Sequence, residues 1–244
     1  MISVSIVSHG HGDMVSRLVA QLQACPEVGQ IIVTRNVPEA LNVPGATIVD
    51  NPEPKGFGAN HNAAFKLCDQ PYWCVLNPDI ELIGNPFPIL LGLLQHDRRL
   101  GMVAPLVRNP GGQIEDSVRR FPTVFSIMAK VLGVSEGRHP IDSSAEIVFP
   151  DWVAGMFMLY SSEAYEKLGG FDERYFLYYE DVDICARAWR ARIGIAVATS
   201  VAVVHDARRT SHRNLRYLRW HLSSMLRFLL RFSGRMPSPF PVGR

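Results

Sequence analysis

The sequence predicts an α/β fold: a largely parallel central sheet flanked by helices on both faces. Two observations lead there. Short β-rich runs alternate with stretches of helical spacing, and 47% of the 244 residues are hydrophobic, enough to bury one large core. The run SVSIVS at 3–8 opens the chain and ends at Ser8, His9 and Gly10. MVSRLVAQLQA follows with helical spacing, and Asp13 stands where a helix cap belongs. Strands IIVT at 31–34 and ATIV at 46–49, a helix from Asn60 to Leu67, and the strand YWCVL at 72–76 continue the alternation. A helix over 86–95 and the strand MVAP at 102–105 complete the first half. Residues 108–150 read as loop, carrying NPGGQ, the basic pair Arg119 and Arg120, and the polar stretch EGRHPIDSSAE. Such a stretch is either an acceptor-facing region or ordinary surface loop. WVAGMFMLY at 152–160 is a buried strand, Ser162–Leu168 a helix, and GGFDE a turn.

Composition excludes several classes. The formal charge of +2 is too slight to imply nucleic acid as a partner. No apolar run approaches the roughly 20 residues that cross a bilayer; the longest, PFPILLGLL at 86–94, is short and begins with prolines. The opening MISVSIVSHG has neither the basic start nor the cleavage site of a signal peptide, so the cytoplasm is expected. Cys25, Cys68, Cys74 and Cys185 are scattered, with no CxxC pair for zinc or redox chemistry. They read as small buried hydrophobes.

Three stretches carry chemistry. In FLYYEDVDICARAWR, residues 176–190, Glu180, Asp181 and Asp183 follow a run of aromatic residues. Carboxylates desolvated by rings and crowded by like charge suit a catalytic base or a cation site; acids at an exposed helix start are the alternative. In NPEPKGFGANHNAAF, residues 51–65, glycines precede a helix, but His61 replaces the third glycine of a dinucleotide fingerprint. A turn delivering backbone amides and Lys55 to a diphosphate is one reading, and a tight loop with Asn60 as cap is the other. In LNPDIEL, residues 76–82, Asn77 and Asp79 emerge where an apolar strand ends, the place where ligands of parallel sheets bind. Asp79 is positioned to share Mg²⁺ or Mn²⁺ with a substrate diphosphate, or to cap the strand in an Asn-Pro-Asp turn.

In order and spacing, SIVSHG, NPEPKGFGANHNAAF, LNPDIEL, WVAGMFML, GGFDERYFLYYEDVDICAR and VVHDARRTS resemble the inverting family 2 glycosyltransferases of the GT-A fold, a Rossmann-like architecture. Among these the chain is most similar to bacterial rhamnosyltransferase-like members that build surface polysaccharides such as lipopolysaccharide. The resemblance implies one GT-A domain over 1–206, with a nucleotide-sugar-binding half at 1–106 and an acceptor-binding, catalytic half at 107–206. Asp79 takes the last position of the DxD motif, whose first position is here Asn77. Ser8, His9, Asn51, Lys55, Gly56, Gly58 and Asn62 match nucleotide-contacting segments, and Arg208 and Arg209 follow the last motif near the diphosphate. Asp181 matches the general base, Glu180 the residue bonding the acceptor, and His205 a position contacting metal or diphosphate. Trp152 and Gly155 border the donor sugar, and Tyr175, Phe176, Tyr178 and Tyr179 wall the sugar site. Where relatives read the nucleobase with an Asp-Asn pair, this chain has Arg35 and Asn36.

The implied reaction moves a sugar from a nucleotide diphosphate donor, dTDP-rhamnose being favoured, to a saccharide or polyprenyl-linked acceptor. A sugar nucleotidyltransferase is the competing enzyme; SHGHGDMVSR is a poor match to the basic, glycine-rich signature it needs. An inactive nucleotide-sugar-binding module is the competing non-enzyme, against which Asp79, Asp181 and His205 argue.

Residues 207–244 read as a basic amphipathic helix and tail. No acid follows Asp206, while nine arginines do. Leu215, Leu218, Leu222, Met225, Leu226 and Leu229 fall on one helical face, and Arg216, Trp220, Arg227 and Arg231 on the next. The aromatic and basic strip suits the headgroups of an anionic membrane, which predicts peripheral contact with the inner face of the cytoplasmic membrane. A core-closing helix with solvated arginines is the alternative.

Overall fold

The computed structural model describes residues 1–131, 133, 139–141, 145–206, 215–232, 234 and 236–239. Arg208 and Arg209 lie outside the described residues. β1 (Ile2–Ser8), β2 (Val28–Arg35), β3 (Thr47–Asp50) and β4 (Tyr72–Leu76) pair in parallel. β10 (Phe157–Ser161) runs antiparallel between β4 and β6 (Leu100–Arg108). β11 (Gly194–His205) lies parallel to β6, with the short β5 (Ile80–Glu81) and β8 (Ile147–Val148) antiparallel on it. The order is β3-β2-β1-β4-β10-β6-β11-β5. A separate two-stranded sheet joins β7 (Val118–Arg119) to β9 (Trp152–Val153).

β1 is central, and both of its faces are covered: Ile2, Val4 and Ile6 are buried, and so are Ser3 and Ser5. Its buried hydroxyls are satisfied, Ser3 by Gln30 and Ser5 by His61 Nδ1 at 2.8 Å. α1 (Asp13–Gln23) buries Met14, Val15, Leu18, Val19 and Leu22 along one stripe. α2 (Phe57–Phe65) and α3 (Phe87–His96) cover further strands of the sheet. α4 (Val124–Val131), α5 (Ser162–Lys167), α6 (Glu180–Arg190) and α7 (Leu215–Phe232) complete the described helices.

Several local expectations are corrected. Asp13 is the first residue of α1 rather than its cap; Gly12 caps it with φ 52°, and the Glu39 carboxylate accepts the N–H groups of Gly10 and Gly12 at 3.2 and 3.0 Å. α2 begins three residues before Asn60, whose side-chain amide donates back to the carbonyls of Lys55 and Gly56. WVAGMFMLY splits into β9 and β10, because Gly155 between them gives its N–H to Asp181. Residues 108–150 contain β7, α4 and β8, and the twelve-residue β11 was not anticipated.

α7 also packs differently. Ser224, Phe228 and Phe232 face the body, with Phe228 against the rings of Tyr179 and Phe121. The expected basic strip touches protein: Arg231 binds Asp172 at 2.8 Å and Asp183 at 2.7 Å, and Arg227 lies over Tyr175. The leucines instead face outward, Leu215, Leu218, Leu222, Leu226 and Leu230 all being exposed. No described helix is long and apolar enough to cross a membrane.

Candidate active site

A pocket of about 680 Å³ opens beyond the carboxyl ends of β1 and β4, where the parallel sheet leaves a crevice. Its walls include His9, Asn36, Lys55, Phe57, Asn77 and Asp79, with Phe176 and Tyr178 from the loop before α6. Asn36, buried at the end of β2, ties the surrounding loops together. Its Oδ1 accepts from Lys55 N at 2.8 Å and Asn51 Nδ2 at 2.9 Å, and its Nδ2 donates to the Lys55 carbonyl at 2.9 Å. Ser8 is buried beneath, its hydroxyl accepting the His11 N–H. Arg35, by contrast, is committed to Asp50 in a bidentate pair.

The glycines of the 51–65 stretch permit close packing. A Cβ at Gly56 would come within 2.5 Å of the Phe176 carbonyl, which accepts the Phe57 N–H at 3.0 Å; one at Gly58 would meet Phe171 at 2.6 Å. Gly56 thus locks the start of α2 to the 176–178 loop. Asn62 is placed away from the pocket. Its amide is used by Tyr165, Phe171 and Glu173, which makes it an anchor for the GGFDE turn.

Asp79 sits just before β5, and the pairing of β5 with β11 sets Ile80 opposite His205. His205 Nε2 meets Asp79 Oδ2 at 3.1 Å, and Nδ1 meets Glu115 Oε2 at 2.8 Å. Burial disfavours charge on this imidazole, but the hydrogen bonds and charges of the two carboxylates outweigh it and raise its pKa. Asp79 Oδ1 is buried without a hydrogen-bond partner. Among the described residues no three His, Cys, Asp or Glu form a group able to hold a metal by themselves. The arrangement fits an ion held by the unpartnered Asp79 oxygen and by substrate oxygens, with His205 hydrogen-bonded to the other Asp79 oxygen.

The second acidic centre is at the start of α6. Asp181 Oδ2 accepts the Gly155 N–H at 3.0 Å and Oδ1 accepts the Val182 N–H at 2.8 Å. Gly155 leaves room for this: a Cβ there would lie 3.3 Å from the pocket-lining ring of Phe57 and 3.6 Å from Asp181 Cβ. Burial raises the Asp181 pKa, and the backbone N–H groups and Arg119 oppose that rise. Glu180 is buried with Oε2 unpartnered; desolvation and then the Asp181 charge push its pKa well above the usual carboxylate range. Tyr178 and Tyr179 enter the helix with φ 69° and 68°, a left-handed pair that costs energy for side chains of this size.

The remaining expected residues divide. Asp183 pairs with Arg187, one helical turn further on, at 2.6 Å. Tyr175 is fully buried beside Asp183 and walls no pocket, whereas Phe176 and Tyr178 line the one described. Trp152 is buried with its indole N–H given to the Arg120 carbonyl. Sequence reasoning missed Glu115 and the pocket contribution of Arg216, Tyr217 and Trp220 from α7. The only signal for Glu115 was its place in a polar loop.

Comparison with solved structures gives the class. The fold matches GalNAc-T7 with UDP, GalNAc and Mn²⁺ at a TM-score of 0.71, with 14% identity over 94% of this chain and 47% of that one. It matches a mannosyltransferase of Pyrobaculum calidifontis with GDP-Man and Mn²⁺ at 0.67, with 13% identity over 97% and 65%. The architecture is that of GT-A glycosyltransferases. Relatives narrow it. The chain is 30% identical to the rhamnosyltransferase WbbL of Escherichia coli over 95% of its own length and 93% of that protein's. It is 32% identical to the N-acetylglucosaminyl-diphospho-decaprenol L-rhamnosyltransferase of Mycobacterium tuberculosis over 68% and 57%. No family model matches the chain. It belongs to the bacterial rhamnosyltransferase-like glycosyltransferases.

Proposed function

We propose that the protein transfers L-rhamnose from dTDP-rhamnose, with inversion, to a saccharide or polyprenyl-linked saccharide acceptor in bacterial surface polysaccharide synthesis. The observation that carries this reading is Asp181 at the start of α6, held by two backbone N–H groups, one of them from Gly155, which itself adjoins the pocket-lining ring of Phe57. Residues 1–106 bind the nucleotide sugar, and 107–206 supply the acceptor side and the base. Asn36, Lys55 and His9 orient the donor in the pocket. Asp181 takes the proton of the acceptor hydroxyl as its oxygen attacks the anomeric carbon from the face opposite the diphosphate. Glu180, its pKa pushed up by burial and by the Asp181 charge, disfavours a second negative charge in the site. Asp79 would hold Mg²⁺ or Mn²⁺ together with the donor phosphates, and such an ion supplies Lewis-acid charge for the leaving diphosphate. Transfer assays over a panel of nucleotide sugars, with and without Mn²⁺, test the reading: dTDP-rhamnose should be turned over fastest. Preference for another donor would overturn the sugar assignment, and absence of turnover with every donor would favour a binding module.

The exposed leucines of α7 lie in a helix without an acid, and Val124, Phe125 and Met128 of α4 are exposed as well. Phe121 stacks on Phe228, which brings the chain entering α4 to α7. A cytoplasmic protein with this surface rests on anionic lipid, leucines at the interface and arginines near headgroups, where it meets a lipid-linked acceptor. The protein should float with anionic liposomes and lose binding when Leu218, Leu222 and Leu226 become Gln. Retained flotation of that variant would contradict the leucine contact.

A further inference from the structure

We infer that α7 is a wall of the donor pocket, with Arg216 as a diphosphate-binding residue and Trp220 as the residue that positions it; this rests on reading the pocket as the donor site. The pocket that holds Asn36, Lys55 and Asp79 is also lined by Arg216, Tyr217 and Trp220, more than a hundred residues further along the chain. Their placement is built rather than incidental. The Arg216 guanidinium lies over the Trp220 ring at 4.7 Å from its centroid, and the Trp220 and Phe176 rings are 4.5 Å apart. Phe176 is in turn clamped to α2 through its carbonyl and Gly56. Further along, Ser224 Oγ donates to the Leu177 carbonyl at 3.1 Å, and Arg231 reaches Asp172 and Asp183. The helix is therefore fixed to the 176–178 loop at its pocket end and middle, and to Asp172 and Asp183 at its far end.

The charge distribution identifies the ligand class. Asp79 is the only acid among the described residues lining the pocket, while Lys55 and Arg216 are cationic and α7 contains no acid. A pocket with that balance suits a ligand carrying two or more negative charges, and a planar guanidinium matches phosphate oxygens in bidentate geometry. Cation–π contact with Trp220 restricts the guanidinium before the ligand arrives, so less entropy is lost on binding. The bound group is the diphosphate of a nucleoside diphosphate, shared by the donor and the leaving product.

Titration of the full-length protein with dTDP, UDP and thymidine, followed by calorimetry, tests the inference. Arg216→Ala should weaken the diphosphates about tenfold or more while changing thymidine binding little. Trp220→Ala should weaken dTDP several-fold and Trp220→Phe should restore most of that loss, a rescue expected only if an aromatic face positions Arg216. The thermal melt of Arg216→Ala should match wild type, because Arg216 is exposed. If Lys55→Ala weakens dTDP but Arg216→Ala and Trp220→Ala do not, the α7 wall is wrong while the donor pocket stands. If the wild-type chain binds neither dTDP nor UDP, the donor reading fails and this inference with it.

Discussion

Asp79 and Asp181 are half-buried acids, Asp79 lining the pocket and Asp181 outside its lining beside Gly155, and they are held in opposite ways. Asp79 faces an imidazole: one oxygen meets His205, which Glu115 also grips, and the other oxygen has no hydrogen-bond partner. Asp181 faces dipoles: both oxygens accept backbone N–H bonds, and Glu180 precedes it in the chain. The contrast shows how one sheet supports two acid chemistries. A carboxylate with one oxygen hydrogen-bonded and the other spare is suited to recruiting positive charge. A carboxylate raised by burial yet stabilised by N–H groups is suited to accepting and releasing a proton.

The contrast can be broken residue by residue. Asp79→Ala should weaken donor affinity and divalent-ion activation together, by about tenfold or more, since one side chain serves both. A titration with Mn²⁺ and dTDP checks it; loss of only one response would separate the two roles. Arg231→Ala removes the ion pairs that seat α7, and should lower stability by about 1–2 kcal/mol, less than for a fully buried pair because Arg231 is one-third exposed. Hydrogen bonding and charge from Arg174, with Arg231 nearby, hold Asp172 down at about 2 against the cost of burial. Its pKa is depressed in the fold, so its stabilisation is present above the ordinary aspartate value and is lost as pH falls through about 2. Acid melts of wild type and Arg231→Ala should therefore converge toward that pH. The smallest effect is expected at Glu180. Because burial and the Asp181 charge push its pKa up, Glu180→Gln, which resembles the neutral acid, should retain most activity and leave the acid limb near its wild-type position. That limb reports Asp181: activity falls as pH drops through a value above the usual aspartate range. A large shift of the limb in Glu180→Gln would mean that Glu180 carries the charge.

The legible parts of the molecule were those whose signals are local. β1 and β4 are short β-rich runs, and Asp183 with Arg187 is a one-turn pair, so each is visible within a few residues of chain. The acids Asp79 and Asp181 stood out because polar residues followed apolar ones where strands or aromatic runs ended. β11 was missed because its pairing with β6 breaks register between Ala198 and Ala202, which interrupts a simple strand pattern. Glu115 bonds a residue 90 positions away, and nothing near it in the chain announces His205. The orientation of α7 was also outside local reach. The helix carries a leucine face and a phenylalanine face, and periodicity cannot choose between them; the choice follows from Tyr179, Phe121 and Asp183 awaiting it on the body.

The division of labour between the two acids is tested most directly by measuring donor affinity and turnover on one preparation of Asp181→Asn. The substitution keeps the shape and removes the proton acceptor, so turnover should fall by roughly 10²-fold or more while the affinity for dTDP-rhamnose stays within about twofold of wild type. Turnover near the wild-type rate, or a loss explained entirely by weaker donor binding, would contradict Asp181 as the base.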